Sequence, residues 1–320
     1  MKITKSKIVI LCPHKKTGGP ELLHQLVNQL NKIGRKAFIC YFPFERDFTP
    51  HEEYLKYEAP ICKFIDDSET FFLVSESATF IIKSIKNADY GIWWLSVDNY
   101  YRSKGDLFIR DFFYKYLSLF KSRVPISQLN SPIHFTQSDY AKYFLEKHNI
   151  NSYMLSDYLS QEHTVKFKSN VKNNKDDIIV FNPKKGKKIT SKLIKLCTGF
   201  NFIPIQGMSS SEVSDLLNKA KIYIDFGNHP GKDRLPREAA ISGCCVITNK
   251  NGSAKNRFDI PISSIYKLDD TSRSFFKEFE SLALEILGDF VFHSSNFDEY
   301  RLKIFNEQKV FKDQVINLFE

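Results

Sequence analysis

Two spacings of apolar residues alternate along the chain. Residues 7–12, 36–42, 91–96, 133–136, 177–182, 202–205, 221–225 and 244–248 form short, nearly continuous apolar runs, rich in β-branched and aromatic side chains and bounded by breakers. Such runs predict buried strands. Residues 61–65 and 71–74 are shorter strand candidates. Between the runs the period changes. Leu22, Leu23, Leu26, Val27, Leu30 and Ile33 recur every three or four residues, the stripe of an amphipathic helix. Pro20 is placed to be its first helical residue and Gly34 its terminator. Helices are also predicted at 77–85, at 138–147 from a Ser138 cap, and at 191–196. Another ends near Ala220, opened by a capping box of Ser209 with Glu212. Residues 271–320 are mostly helical in pattern.

The stretch 229–243 organises the second half. It follows the run 221–225 and precedes 244–248, with Pro236 expected as first helical residue and Gly243 as terminator. In open parallel sheets ligands bind at the carboxyl ends of the strands, where 226–235 would fall. That segment brings His229, Lys232, Asp233, Arg234 and, just beyond it, Arg237 to a helix N-terminus, whose N–H groups favour an anion. A phosphate-bearing ligand is expected. The first strand leads in the same way into Gly18 and Gly19, which either let the backbone approach a ligand closely or simply make a tight turn. Their spacing is not the Gly-x-Gly-x-x-Gly of dinucleotide binding. Asp98, just past the run 91–96, sits where a catalytic or sugar-binding group would stand, or else caps the next helix. Lys184, Lys185, Lys187 and Lys188 surround Gly186 at another strand-to-helix turn. They form either a diphosphate clamp or a solvated cluster.

With 320 residues, two domains of ordinary size are expected, with boundaries at 1–160, a linker at 161–176, a second domain at 177–270 and helices at 271–320 packing back on both. An aromatic fraction of 14% and 42% hydrophobic residues exclude a disordered chain. The net charge of +9 suits nucleic acid, an anionic membrane, a polyanionic small ligand or only a lysine-rich surface. No recognition-helix, zinc-spacing or ribonucleoprotein signature supports nucleic acid. The six cysteines show no metal spacing and are expected as free thiols of a reducing compartment. No apolar run approaches the ~18 residues of a membrane span, so a cytoplasmic, soluble or peripheral protein is expected. Residues 107–123 combine an aromatic helical stripe with Arg110, Lys115, Lys121 and Arg123. They form either a buried helix or a surface that touches the inner face of a membrane.

Three motifs carry a family resemblance. Gly18-Gly19-Pro20-Glu21, followed by Leu22, Leu26, Leu30 and Gly34, residues 207–225, and Leu235-Pro236-Arg237-Glu238-Ala239-Ala240-Ile241-Ser242-Gly243 resemble the retaining nucleotide-sugar glycosyltransferases of family 4, of GT-B fold. The resemblance implies an α/β protein of two Rossmann-like parallel-sheet domains facing a cleft, with a C-terminal helical segment. It implies transfer of a sugar from a nucleotide-diphosphate donor to a glycan hydroxyl, metal-independent and without cofactor, in bacterial surface polysaccharide or lipopolysaccharide synthesis on a lipid-linked acceptor. Glu238 would bind the ribose, Lys184 with Lys187 or Lys188 and Arg234 the diphosphate, and Gly252 and Ser253 the donor phosphates or base. One departure is clear. Pro230 stands where the family carries a second Glu, leaving His229, Lys232 and Asp233 to take its place, with Gly231 beside them among the donor-binding residues. The family's first-domain His is also missing, with Asp98 and Asn99 at that loop. Within the same fold an epimerase, a phosphorylase or a non-catalytic glycan-binding relative are the alternatives.

Overall fold

The computed structural model describes residues 2–102, 123–160 and 175–320. The stripe expected at 107–123 falls outside them apart from Arg123, and the linker expected at 161–176 apart from Lys175 and Asp176. The chain divides into two compact units, Met1–Asp157 with Lys309–Glu320, and Tyr158–Gln308.

The first unit runs β1 (Lys7–Pro13), α1 (Gly18–Lys32), β2 (Lys36–Phe42), α2 (Glu52–Leu55), β3 (Thr70–Ser75), a 3₁₀ segment Glu76–Ser84, β4 (Asp89–Trp94), α3 (Val97–Arg102), β5 (Ile133–Thr136), α4 (Asp139–Glu146) and β6 (Tyr153–Met154). Its six strands are parallel, in the order β2-β1-β3-β4-β5-β6. Strand order therefore reverses beside β1, and the loops leaving β1 and β3 flank that point. The run Ile8-Val9-Ile10-Leu11 is fully enclosed, which its continuous apolarity requires. Gly34 ends α1 with φ 83, as its place after the stripe predicts. The end of the chain joins this unit: Ile3 N donates to the Leu318 carbonyl at 2.8 Å, and the Phe319 ring stacks on Phe135.

Three expectations are corrected. Residues 61–65 are not a strand: outside β2 at the sheet edge, Ile61 makes a single bridge to Ile39, and Phe64 packs on Phe44 and Phe72 instead of continuing the ladder. Residues 77–85 coil as the 3₁₀ segment, kinked at Ala78. Pro20 and Pro236 are each the third helical residue rather than the first, since α1 starts at Gly18 and the later helix at Arg234. A proline is tolerated there because the first-turn N–H groups have no intrahelical partner.

The second unit runs β7 (Asp176–Phe181), α5 (Lys187–Leu196), β8 (Asn201–Pro204), α6 (Ser210–Lys219), β9 (Ala220–Asp225), α7 (Arg234–Ile241), β10 (Cys245–Asn249), β11 (Lys267–Leu268), α8 (Phe275–Gly288), α9 (Phe290–Ser295) and the start of α10 (Asp298–Phe319). Its five parallel strands are ordered β11-β10-β9-β7-β8, so order reverses between β7 and β9. Ile179, Val180, Ile222, Tyr223, Ile224, Val246 and Ile247 form its centre with Phe279 and Ile286 of α8. Each such side chain contributes roughly 1.5–3 kcal/mol by leaving water. The capping box of Ser209 and Glu212 is present.

Buried cations close the helix ends of this unit. The Lys175 ammonium donates to the carbonyls of Leu217 and Ala220 behind α6, and burial pulls its pKa below the usual lysine range. Arg301 Nε donates to Ala240 O in the last turn of α7, with its Nη1 on Ser294 O and Asp298. Arg237 of α7 and Glu307 of α10 make a buried pair at 2.7 Å, and Lys232 reaches the second Glu307 oxygen at 3.0 Å. Among the described residues no helix is long and apolar enough to cross a membrane. All six cysteines are free, and only Cys62 is less than fully buried.

Two tests follow from these buried charges. Glu76 lies enclosed at the end of β3, accepting from Leu95 N at 2.9 Å, and burial pushes its pKa up to about 7 against the pull of that bond and of Arg123. Its unfolded pKa is lower, so in the window between the two only the folded chain keeps the proton. Stability therefore falls as pH rises from about 4.5 to about 7, and the fall absent in Glu76→Gln should be about 3 kcal/mol, read as the difference between urea unfolding curves of the two proteins. Glu307→Ala strands two cations and should cost about 3–5 kcal/mol, with much of it recovered in Arg237→Met/Glu307→Met, measured by the same unfolding.

Candidate functional site

The site lies in the second unit at the reversal between β7 and β9, where two loops leave the carboxyl ends of adjacent strands. These loops are in close contact. A Cβ added to Gly186, which has φ 56, would stand 2.5 Å from the Phe226 carbonyl oxygen, and one on Gly227 would stand 2.8 Å from Lys185 Cβ. Only glycine permits that approach at both positions. Asn249 at the end of β10 donates to Gly227 O and holds the same loop from the other side.

The approach delivers Lys185 into a pair of carboxylates. Its Nζ lies 2.6 Å from Asp233 Oδ2 and 3.6 Å from Asp225 Oδ2. Burial opposes the Lys185 charge, but Asp225 and Asp233 outweigh it and hold the ammonium above the usual lysine range. Burial equally works against the Asp233 carboxylate, which the His229 ring and Lys185 nevertheless hold below the usual range. His229 is wholly enclosed, with Nδ1 3.0 Å from Asp233 Oδ2 and Nε2 3.3 Å from the Asp225 carbonyl. Asp233 stands at the N-cap of α7 but makes no capping bond. Pro236 offers no N–H at the third position, which leaves the Asp233 carboxylate to Lys185 and His229.

On the first turn of α7, Arg234 and Glu238 meet: Nε and Nη2 of Arg234 are each 3.2 Å from Glu238 Oε1. Glu238 is nearly buried, while Arg234 is a third exposed. Lys184, Lys187 and Lys188 are exposed around the start of α5. Exposed anion-seeking groups thus converge on the ends of β7 and β9, with Glu238 among them and the Asp225 and Asp233 carboxylates turned to Lys185 beneath.

Other expected donor residues are turned inward. Arg237 and Lys232 hold Glu307, and Arg237 also donates to the carbonyls of Asp233 and Lys232, which fixes the loop before α7. Gly252 lies under the His229 carbonyl, where a Cβ would stand 2.0 Å from the oxygen. Ser253 is fully buried, its N bonded to His229 O and its Oγ to Gly231 O. The segment 252–253 therefore supports the loop 229–231 from beneath. Gly18, Gly19 and Asp98 belong to the first unit. The two glycines are the opening residues of α1, and the preceding Thr17 N donates to Tyr54 Oη at 3.0 Å. Asp98 is half-buried and accepts from Tyr140 Oη at 3.1 Å. It does not cap α3: Ser96 Oγ takes that role, accepting from Asn99 N. A cavity of about 560 Å³ lies elsewhere in the second unit, lined by Lys250, Lys267, Asp269, Glu278 and Glu285 among others, and Arg234, Glu238 and the lysines around Gly186 do not line it.

Sequence reasoning missed Lys185, Asp225 and Glu307 as members of this constellation. Asp225, an acidic end to an apolar strand, offered a signal. Lys185 was one of four equivalent lysines, and Glu307 lies 70 residues from its partner Arg237 in an ordinary helical pattern.

No protein-family model matches the chain, and no curated protein matches it by sequence. Solved structures do match. HepE of Anabaena in complex with UDP-glucose superposes with TM-score 0.62 at 12% identity, over 97% of this chain and 98% of that one. Sucrose-phosphate synthase of Thermosynechococcus elongatus gives 0.60 at 9% identity, over 99% and 95%. UDP-GlcNAc 2-epimerase of Neisseria meningitidis bound to UDP-GlcNAc gives 0.53 at 11%, over 97% and 100%. At such identities the likeness shows the fold, two Rossmann-like parallel-sheet units of the GT-B class with a C-terminal helix.

Proposed function

We propose that the protein is a glycosyltransferase that moves a sugar from a nucleotide-diphosphate donor to a hydroxyl of a glycan. The observation that carries this reading is the pairing of Arg234 with Glu238 on the first turn of α7, beside the lysine-rich loop that leaves β7. A carboxylate at that point suits the two hydroxyls of a ribose. The Arg234 guanidinium, the exposed Lys184, Lys187 and Lys188, and the N–H groups opening α7 suit the diphosphate. As the glycosidic bond to the donor breaks, charge develops on the departing diphosphate, and these groups stabilise it without a bound metal. The fold shared with proteins described in complex with UDP-glucose and UDP-GlcNAc supports a nucleotide sugar as the ligand.

Retention of anomeric configuration, a contact of Asp98 with acceptor or donor sugar, and a lipid-linked precursor of a bacterial surface polysaccharide as acceptor complete the proposal. A cytoplasmic enzyme peripheral to the membrane fits that acceptor, and the basic aromatic sequence 107–123 and the net charge of +9 support it.

A thermal-shift screen with nucleotide diphosphates and their sugars identifies the donor, because a ligand of the folded state raises Tm. With that donor, Arg234→Ala and Glu238→Ala should each lower transfer at least ~100-fold. Arg234→Ala should keep a Tm near wild type, since Arg234 is a third exposed and an i,i+4 pair on that side is worth roughly 0–1 kcal/mol, whereas loss of the nearly buried Glu238 carboxylate should lower Tm. Wild-type rates in both variants would remove the site assignment. Turnover of donor to an isomeric nucleotide sugar with no acceptor present would instead make the protein an epimerase.

A further inference from the structure

Asp225, His229 and Asp233 each present one ligand-type atom, and these atoms lie within 4.8 Å of one another. The side chains of Asp225 and His229 are wholly enclosed, and that of Asp233 is only 15% exposed. Two carboxylates and an imidazole converging inside a protein are the donor set of a divalent ion such as Zn²⁺, Co²⁺ or Mn²⁺. The set is also oriented from outside. Tyr223 Oη and Gly227 N both donate to the Asp225 carboxylate, as outer-shell groups do around metal ligands.

A second, independent feature decides what fills it. The Lys185 ammonium already stands between the carboxylates, 2.6 Å from Asp233 Oδ2 and 3.6 Å from Asp225 Oδ2. A metal bonded to Asp233 Oδ2 at about 2.0–2.2 Å would take the ammonium's place against that oxygen, so the two cations exclude each other. The lysine has not swung in from solvent by chance, because its stem is held where it enters. Gly186, in a left-handed conformation against the Phe226 carbonyl, and Gly227, against Lys185 Cβ, bring the lysine backbone onto the end of β9. We propose that Asp225, His229 and Asp233 form a cation site whose resident cation is the Lys185 ammonium, and that a divalent transition-metal ion binds there once that ammonium is removed. The inference stands apart from sugar transfer: it concerns which cation neutralises the loop before α7.

Co²⁺ is the probe, added to untagged wild-type protein and to Lys185→Met, which keeps the stem and loses the charge. Lys185→Met should bind one equivalent by calorimetry, at least about 100-fold more tightly than wild type, with visible d–d absorption and a Tm that rises with Co²⁺ concentration. Lys185→Met/His229→Ala should lose the tight binding. The proposal is overturned if folded Lys185→Met binds no Co²⁺, if wild type binds equally well, or if binding in Lys185→Met survives His229→Ala. Should Lys185→Met fail to fold alone, refolding it with Co²⁺ replaces the titration: recovered near-ultraviolet circular dichroism supports the site, and no recovery overturns it.

Discussion

The ion pair between Lys185 and Asp233 is the constraint on which the loops at the carboxyl ends of β7 and β9 depend. It joins the loop after β7 to the first turn of α7 across the point where strand order reverses. Two buried carboxylates, Asp225 at the end of β9 and Asp233 before α7, would repel each other and lose their hydration in the low-dielectric interior. The ammonium makes their burial tolerable, and the two glycines make the ammonium's approach possible. Once Asp233 is committed to Lys185 and His229, it cannot cap α7, and the helix opens with uncapped N–H groups beside Arg234 and Glu238. The same contact that closes the interior thus leaves an anion-attracting surface next to it.

Around this centre the charged residues divide by direction. His229, Lys185, Lys232 and Arg237 spend their hydrogen bonds on Asp225, Asp233, Glu307 and loop carbonyls. Arg234 and the lysines at 184, 187 and 188 keep solvent access. Neighbouring residues of the same chemical type thus differ in direction, one set turned to buried partners and the other to solvent. In the first unit the buried Glu76 carboxyl accepts from Leu95 N and so ties the end of β3 to the turn after β4 that precedes Asp98.

The alternation of strands and helices, the terminators Gly34 and Gly243 and the capping box at Ser209 were all legible in the chain, because each rests on local periodicity or local turn chemistry. The failures were local propensities overruled by context. Residues 61–65 are apolar enough for a strand, but at the sheet edge they make one bridge and Phe64 packs on Phe44 and Phe72. Pro20 and Pro236 mark their helices correctly and misplace the start by two residues.

What the sequence by itself determined was therefore the fold class and which loops share one end of each sheet: apolar runs buried in parallel sheets place their following loops at one end, whatever those loops contain. What only the tertiary structure decided was which charged side chain does which work. Four lysines around Gly186 are equivalent in sequence, and a glutamate at 307 looks like any other polar position on a helix. Direction in a loop is set by partners distant along the chain, here Asp225, Asp233 and Arg237, and the free energy of pairing a buried charge far exceeds any local preference that residue type could express.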